Sequence, residues 1–190
     1  MDLVWPAAAH LASYAHALEQ GWSPDTQRAA STEDELAHIA RDPTGFLAQQ
    51  VDREGRGPPV VLPDGSTVPR LPGYKRWMWD GEFCGVISFR WQPGTVALPP
   101  TCLGHIGYSV VPWKRRRGYA TRALGLLLPE VRSEGLPYVE LTTDATNLAS
   151  RRVIEANGGV LIEEFAKPAS HGGTVSLRFQ IALVSHVRPG

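Results

Sequence analysis

The chain has 190 residues, 43% hydrophobic and 20% charged, with Lys+Arg and Asp+Glu both 19 and a formal net charge of zero. That balance suits one soluble globular domain with a real core and excludes a protein that coats nucleic acid through a basic excess. Two cysteines, Cys84 and Cys102, exclude a disulfide framework or a CxxC metal site.

Met1 to Trp5 lack a basic leader, and the apolar stretch that follows is broken by His10, Ser13, His16 and Glu19. The expectation is a chain with no signal peptide and no membrane span, in the reducing cytoplasm. Pro6 to Gly21 is predicted to be a helix, with Leu11, Tyr14 and Leu18 at helical spacing and Gly21 as its stop. Ser31 or Thr32 caps a second helix, Thr32 and Glu35 forming a capping box, and Asp42-Pro43 and Gly45 interrupt it. Arg53 to Pro72 reads as a long surface loop with a small hairpin turning on Asp64-Gly65. Lys75 to Trp91 is a stronger hairpin turning on Asp80-Gly81, with Trp77, Trp79 and Trp91 as packing residues. Gln92 to Pro100 is a second loop.

Alternation of strand and helix then begins. Gly104–Val111 is a strand, and Gly118–Ser133 is a helix that Pro129 is expected to kink or shorten. Tyr138–Thr143 is a strand, Asn147–Asn157 a helix stopped by Gly158-Gly159, Val160–Phe165 a strand, and Thr174–Val184 a last strand. The expected fold class is mixed α/β, a mostly antiparallel sheet flanked by helices on both faces. Domain organisation is one unit over 1–190, with N-terminal helices and a loop in 1–72 and a core in 73–185. His10, His16 and His38 show no metal-ligand grouping, so no metal is expected.

The basic run Lys114-Arg115-Arg116-Arg117-Gly118 lies between a predicted strand end and a predicted helix start. A helix N-terminus presents unpaired N–H groups and the positive end of the dipole, and cations there oppose the dipole. An anion among them, most obviously a phosphate or pyrophosphate, removes that conflict. A solvated surface loop is the plain alternative. Neither GxGxxG nor GxxxxGK[ST] is present, so dinucleotide and nucleoside-triphosphate sites are weakly supported.

Arg115 to Ala120 fits [RQ]-x-x-G-x-[GA], preceded by Val110 and Pro112, and Asn147 to Gly159 fits N-x-x-S-x-x-[VL]-[IL]-E-x-x-G. On these two motifs, in order, the chain resembles the GNAT superfamily of N-acetyltransferases, closest to a branch of "predicted acetyltransferases". The resemblance covers Lys75 to Val184 and only loosely the residues before. It implies acetyl-CoA as co-substrate, held where strands Gly104–Val111 and Tyr138–Thr143 splay apart. Backbone groups of Ser109, Val110 and Val111 would pair with the pantetheine arm. The amides of Arg115, Arg116, Arg117, Gly118, Tyr119 and Ala120 would cradle the pyrophosphate, and Thr121 would add a hydroxyl. Asn147 and Ser150 would steady the pantetheine side or an ordered water, although both also suit a helix start.

Acetyl transfer to an amine requires loss of an amine proton, stabilisation of an oxyanion and protonation of the leaving thiolate. The resemblance places an acidic tyrosine where this chain has Ile154, and a glutamate base where it has Gly104, beside His105. His105 is therefore the first base candidate, against a structural sheet histidine. Tyr108 is a substrate or acid residue if a bulge brings it round. Asp144 is either a binder of a cationic amine or a loop cap, and Arg90 either binds an anionic substrate group or pairs with a carboxylate. The mechanism implied is direct attack by a neutral amine, with the Val110 N–H as oxyanion donor. The acceptor is a small-molecule or peptide amine. No nucleic-acid or membrane partner is expected, and a homodimer is compatible with the relatives' habit. Two other readings stay open here. One is a non-catalytic acyl-CoA-binding or sensor module, raised by the missing tyrosine. The other is a nucleic-acid-binding domain using Arg115–Arg117, opposed by the zero net charge.

Overall fold

Three residues at the front of the chain do something that no periodicity announces. In the computed structural model, which describes residues 1–25 and 31–183, Asp2–Val4 form strand β1 and pair antiparallel with β5 (Gly73–Trp79), Leu3 opposite Met78. A strand of that length has no pattern to read. Helix α1 (Ala8–Glu19) follows, then α2 (Ser31–Arg41) and the short α3 (Pro43–Ala48). The break between α2 and α3 has the expected cause. Asp42 accepts a hydrogen bond from the Gly45 amide at 2.8 Å, and Pro43 occupies the first turn. The expected capping box is not formed. Thr32 lies inside α2, and its hydroxyl donates to the Trp22 carbonyl at 3.3 Å.

Strand β2 (Val51–Asp52) adds to β5, and β3 (Val60–Val61) pairs with β4 (Thr67–Val68) as the expected small hairpin. β5 and β6 (Phe83–Arg90) form the strong hairpin, and β7 (Ile106–Val110) pairs with β6, giving the order β1-β5-β6-β7. β6 is almost continuously buried because helices cover both of its faces. Helix α4 (Tyr119–Arg132) continues past Pro129 rather than ending there. Strand β8 (Tyr138–Asp144), helix α5 (Leu148–Glu155), β9 (Val160–Ala166) and β10 (Val175–Ala182) complete the described chain. Val184, expected at the end of the last strand, lies outside the described residues. β10 inserts between β8 and β9, and all pairs in this second sheet are antiparallel.

Two cores sandwich the first sheet. Tyr74, Met78, Ile87, Phe89 and Ile106 pack on α4 through Leu124, Leu127 and Val131. On the other face Trp77, Phe83 and Val86 meet Tyr14 and Leu18 of α1, with Phe46 of α3. The second core is aromatic: Tyr14 stacks on Trp77 at 4.5 Å between centroids. Trp77 is thus a core residue. This arrangement leaves one face of β5–β7 toward α1–α3 and the other toward α4, and it leaves β7 as the border with the second sheet.

Candidate active site

The two sheets are joined at one point beside β7. The His105 amide donates to the Glu140 carbonyl at 2.8 Å, and the Glu140 amide donates to His105 Nδ1 at 3.0 Å. Beyond that link no ladder connects β7 to β8 among the described residues. The strands part, and a cavity of about 820 Å³ opens along them, lined by Gly107, Tyr108, Ser109, Thr142, Asn147 and Ser150 among others.

The phase of the β6–β7 ladder decides which backbone groups face this gap. The Arg90 amide donates to the His105 carbonyl at 2.9 Å, and the Val111 amide donates to the Cys84 carbonyl at 3.0 Å. Hydrogen-bonded pairs alternate along an antiparallel ladder. Within β7, Gly107 and Ser109 therefore bond to β6, and Tyr108 and Val110 turn their N–H and C=O groups away from it, toward β8. The register from Gly85↔Val110 to Phe89↔Ile106 runs without a shift, so there is no bulge. Of Ser109, Val110 and Val111, Val110 is the residue whose backbone N–H and C=O both face the gap. Ser109 turns its groups to β6, Val111 gives its N–H to the Cys84 carbonyl and its C=O to the Lys114 amide at 3.0 Å, and Tyr108 faces the gap beside Val110.

At the end of β7 the chain makes one 3-10 turn and enters the basic loop. Lys114 is not a free cation. It is buried, with its ammonium 3.0 Å from both Asp80 oxygens and 2.6 Å from Glu82. Asp80 also accepts from the Tyr119 hydroxyl at 2.6 Å. Burial pushes the Asp80 carboxyl up, but the hydrogen bonds from Tyr119 and Lys114 outweigh it and hold the group well below the usual carboxylate range. The β5–β6 turn therefore grips the loop on both sides of its arginines. Sequence pattern had read Asp80 as a turn residue only.

Between those two grips the backbone is unusual. Arg116 has φ 59°, in the left-handed region, and Gly118 has φ 73°. Left-handed residues in succession with others turn consecutive N–H groups inward as an anion-binding nest. Among the described residues, the amides from Arg116 through Thr121 donate to no acceptor in the protein. The first turn of α4 contains no acidic residue. Arg115 lies back along the gap, its Nε donating to the Val110 carbonyl at 3.1 Å.

The catalytic candidates fall in distinct settings. His105 is buried with both ring nitrogens engaged, Nε2 at 3.1 Å from the Val96 carbonyl and Nδ1 on the Glu140 amide. Burial pulls its pKa down. This is the arrangement of a structural histidine. Asp144 is ion-paired with Lys167 and accepts from Ser176 at 3.2 Å, and the Lys167 hydrogen bond lowers its pKa. Tyr108 reaches across the gap to α5, its hydroxyl 2.7 Å from Ser150 Oγ and 3.2 Å from the Ser150 carbonyl. Burial pushes its phenol up to about 12. Asn147 caps α5, accepting from the Ser150 amide at 3.1 Å. Ile154 is 1% exposed, a core residue. Toward α1–α3 the cavity is polar, with Glu35, His38, Lys75, Ser88 and Arg90 on its walls. Of these, only Arg90 carries a local signal, a charge ending an apolar strand. No group of three or more His, Cys, Asp or Glu residues among the described residues is arranged to hold a metal ion. No helix of the described residues is long and apolar enough to cross a membrane.

Similar proteins give this geometry a context. No curated protein sequence matches the chain. Among solved structures it is similar to the microcin C7 self-immunity acetyltransferase MccE in complex with acetyl-CoA and AMP, with TM-score 0.62 and 13% identity over 95% of this chain and 91% of that one. It is similar to RimL, the ribosomal L7/L12 alpha-N-protein acetyltransferase, in complex with coenzyme A, with TM-score 0.60 and 17% identity over 95% and 92%. It is also similar to the Salmonella typhimurium acetyltransferase that modifies the N-terminal serine of ribosomal protein L7/L12, with TM-score 0.58 and 15% identity over 95% and 93%. These likenesses show a shared mixed α/β fold. The acetyltransferase (GNAT) domain family matches residues 5–160, which is most of the chain, and the protein therefore belongs to the GNAT acetyltransferases and is an acyltransferase.

Proposed function

We propose that the protein transfers the acetyl group of acetyl-CoA to a primary amine by direct attack. The observation that carries this reading is the run of amides from Arg116 through Thr121 with no acceptor in the protein, at a helix start without an acidic residue. Every helix start leaves its first amides unpaired; here the left-handed Arg116 and Gly118 extend that set back into the loop, and a pyrophosphate satisfies several at once. Arg116 and Arg117 add charge at the same point. The pantetheine arm lies along the outward backbone groups of Tyr108 and Val110, and the Val110 N–H serves as donor to the thioester oxygen.

Tyr108 supplies the proton that the leaving thiolate needs. Its hydroxyl reaches into the gap, and Ser150 fixes its direction. It takes the part that the buried Ile154 cannot. His105 and Asp144 are placed outside the proton path, since each is already committed to protein partners. The two free thiols suit a reducing, cytoplasmic setting. The test is calorimetric titration with acetyl-CoA, followed by measurement of CoA release with a panel of amines. Saturable binding and amine-dependent release are expected. Binding without release by any amine would leave the transfer reading without support.

A further inference from the structure

The charged groups on the acceptor side of the cavity are nearly all answered by the protein. Glu35 accepts from the Tyr14 hydroxyl and lies 3.8 Å from Lys75. Asp52 accepts from the amides of Arg56 and Gly57 at 3.0 and 2.8 Å. Asp144 holds Lys167. Arg90 is different. Its Nη2 donates to Ser88 Oγ at 2.9 Å, and no carboxylate of the described residues lies within ion-pair distance. A guanidinium carries five N–H donors in a planar fork, and this one has a single side-chain acceptor.

The local structure is arranged to hold that fork in place. Ser88 faces Gly107 across the β6–β7 ladder and donates its hydroxyl proton to the Gly107 carbonyl at 3.2 Å. A Cβ at residue 107 would stand 3.0 Å from Arg90 Nη2. Glycine there lets the guanidinium lie over the β7 backbone. Both residues line the same cavity as Tyr108 and Ser109.

We propose, resting on the acetyl-transfer reading, that Arg90 binds a carboxylate of the acceptor, so that the substrate is a small amino-carboxylate. Gly107 is three residues from Val110, about 10 Å along a strand. Contact of the amine with the thioester takes roughly 3 Å, and a charge-assisted contact with Arg90 takes roughly 3 Å more. The remainder matches an amine and a carboxylate separated by one or two carbons. In the transfer the amine nitrogen bonds to the acetyl carbon and the C–S bond breaks with its electron pair on sulfur. One proton leaves the nitrogen and one ends on the CoA thiol. The products are an N-acetylated amino acid and free CoA.

The experiment compares matched acceptors on the full chain with saturating acetyl-CoA: phenylalanine against phenethylamine, O-phosphoethanolamine against ethanolamine, and a peptide amidated at its C-terminus. The expected result is a kcat/KM for the amino acid about 10- to 100-fold above its decarboxylated partner. Arg90→Ala should bring that ratio close to one through KM, with the Kd for acetyl-CoA unchanged as proof of folding. Arg90→Lys should keep part of it. Equal rates for phenylalanine and phenethylamine, a preference for the phosphate or the amidated peptide, or a ratio that survives Arg90→Ala would each overturn the proposal while leaving acetyl transfer intact. Failure of every acceptor to release CoA would instead sink the transfer reading, and this inference with it.

Discussion

The basic loop and the polar face around Arg90 sit at opposite ends of one strand, β7, and are built in opposite ways. The loop is contiguous: Lys114 to Thr121 supply its cations and its amides, and one hairpin turn braces it through Asp80. The acceptor face draws on α2, β5, β6, β7 and the loops near residues 58–71 and 99–104. A contiguous loop is readable as a motif in the sequence because its backbone geometry needs only a few residue types at fixed spacing. An assembled site leaves no local trace, and it is free to change with the substrate while the loop stays the same.

The largest effect should come from breaking the contiguous half. Gly118 has φ 73°, with open space where a Cβ would point. Gly118→Asp places both a strained residue and a negative charge in the nest. Acetyl-CoA affinity should fall by at least ~100-fold, while the melting temperature falls only a few degrees, since the strain costs about 1–2 kcal/mol. Calorimetry and a thermal melt check the two halves of that statement.

Next is the strand between the two regions. Tyr108→Phe keeps the ring and removes the hydroxyl that meets Ser150. If Tyr108 is the acid, kcat should fall by roughly 100-fold, with the Kd for acetyl-CoA nearly unchanged. An equal loss in binding and in kcat would reassign Tyr108 to holding α5 against β7.

The brace can be tested with less damage. Asp80→Asn leaves Lys114 buried with only Glu82 as a carboxylate partner and weakens the Tyr119 contact. About 1–3 kcal/mol of stability and roughly tenfold in acetyl-CoA affinity should be lost. The sign of the pH dependence follows from the lowered folded pKa. Its contribution is complete above the unfolded carboxylate value of about 4 and is lost as pH falls through the folded value. The wild-type advantage over Asp80→Asn in urea melts should therefore shrink only below about pH 4. A constant difference down to low pH would mean that the Asp80 charge is not what holds the loop.

What the sequence made legible divides along the same line. The longer helices and strands were visible as periodicity, caps and turn residues, because those are local; α3 appeared only as an interruption of the second helix, and the two-residue β2 did not appear. β1 was not visible either, since three residues have no period. Pro129 was expected to kink or shorten α4, and the helix continues past it to Arg132; five buried apolar side chains on that helix, Leu127, Leu128 and Val131 around the proline among them, outweigh one lost hydrogen bond. The basic loop at the start of α4 was legible down to its glycine. The burial of Lys114 was not, because its partners are more than thirty residues away. Likewise, no spacing rule connects His105 with Val96 and Glu140.

The smallest expected effect concerns that histidine, and it separates architecture from chemistry most cleanly. His105 joins the two sheets where the gap begins, and its neutral ring both donates to Val96 and accepts from Glu140. Its folded pKa is lowered by burial, so the unfolded chain binds the proton more readily. Stability from this residue is complete above the unfolded value of about 6.5 and is lost as pH falls toward the folded value. His105→Gln should cost about 1–2 kcal/mol near pH 8, and the difference from wild type should narrow below pH ~6.5. The pH profile of kcat/KM should keep its shape, because a ring with both nitrogens bound to backbone has no free position for an amine proton. Disappearance of the acidic limb in the variant would return His105 to the role of base and require the ring to leave Val96 during turnover.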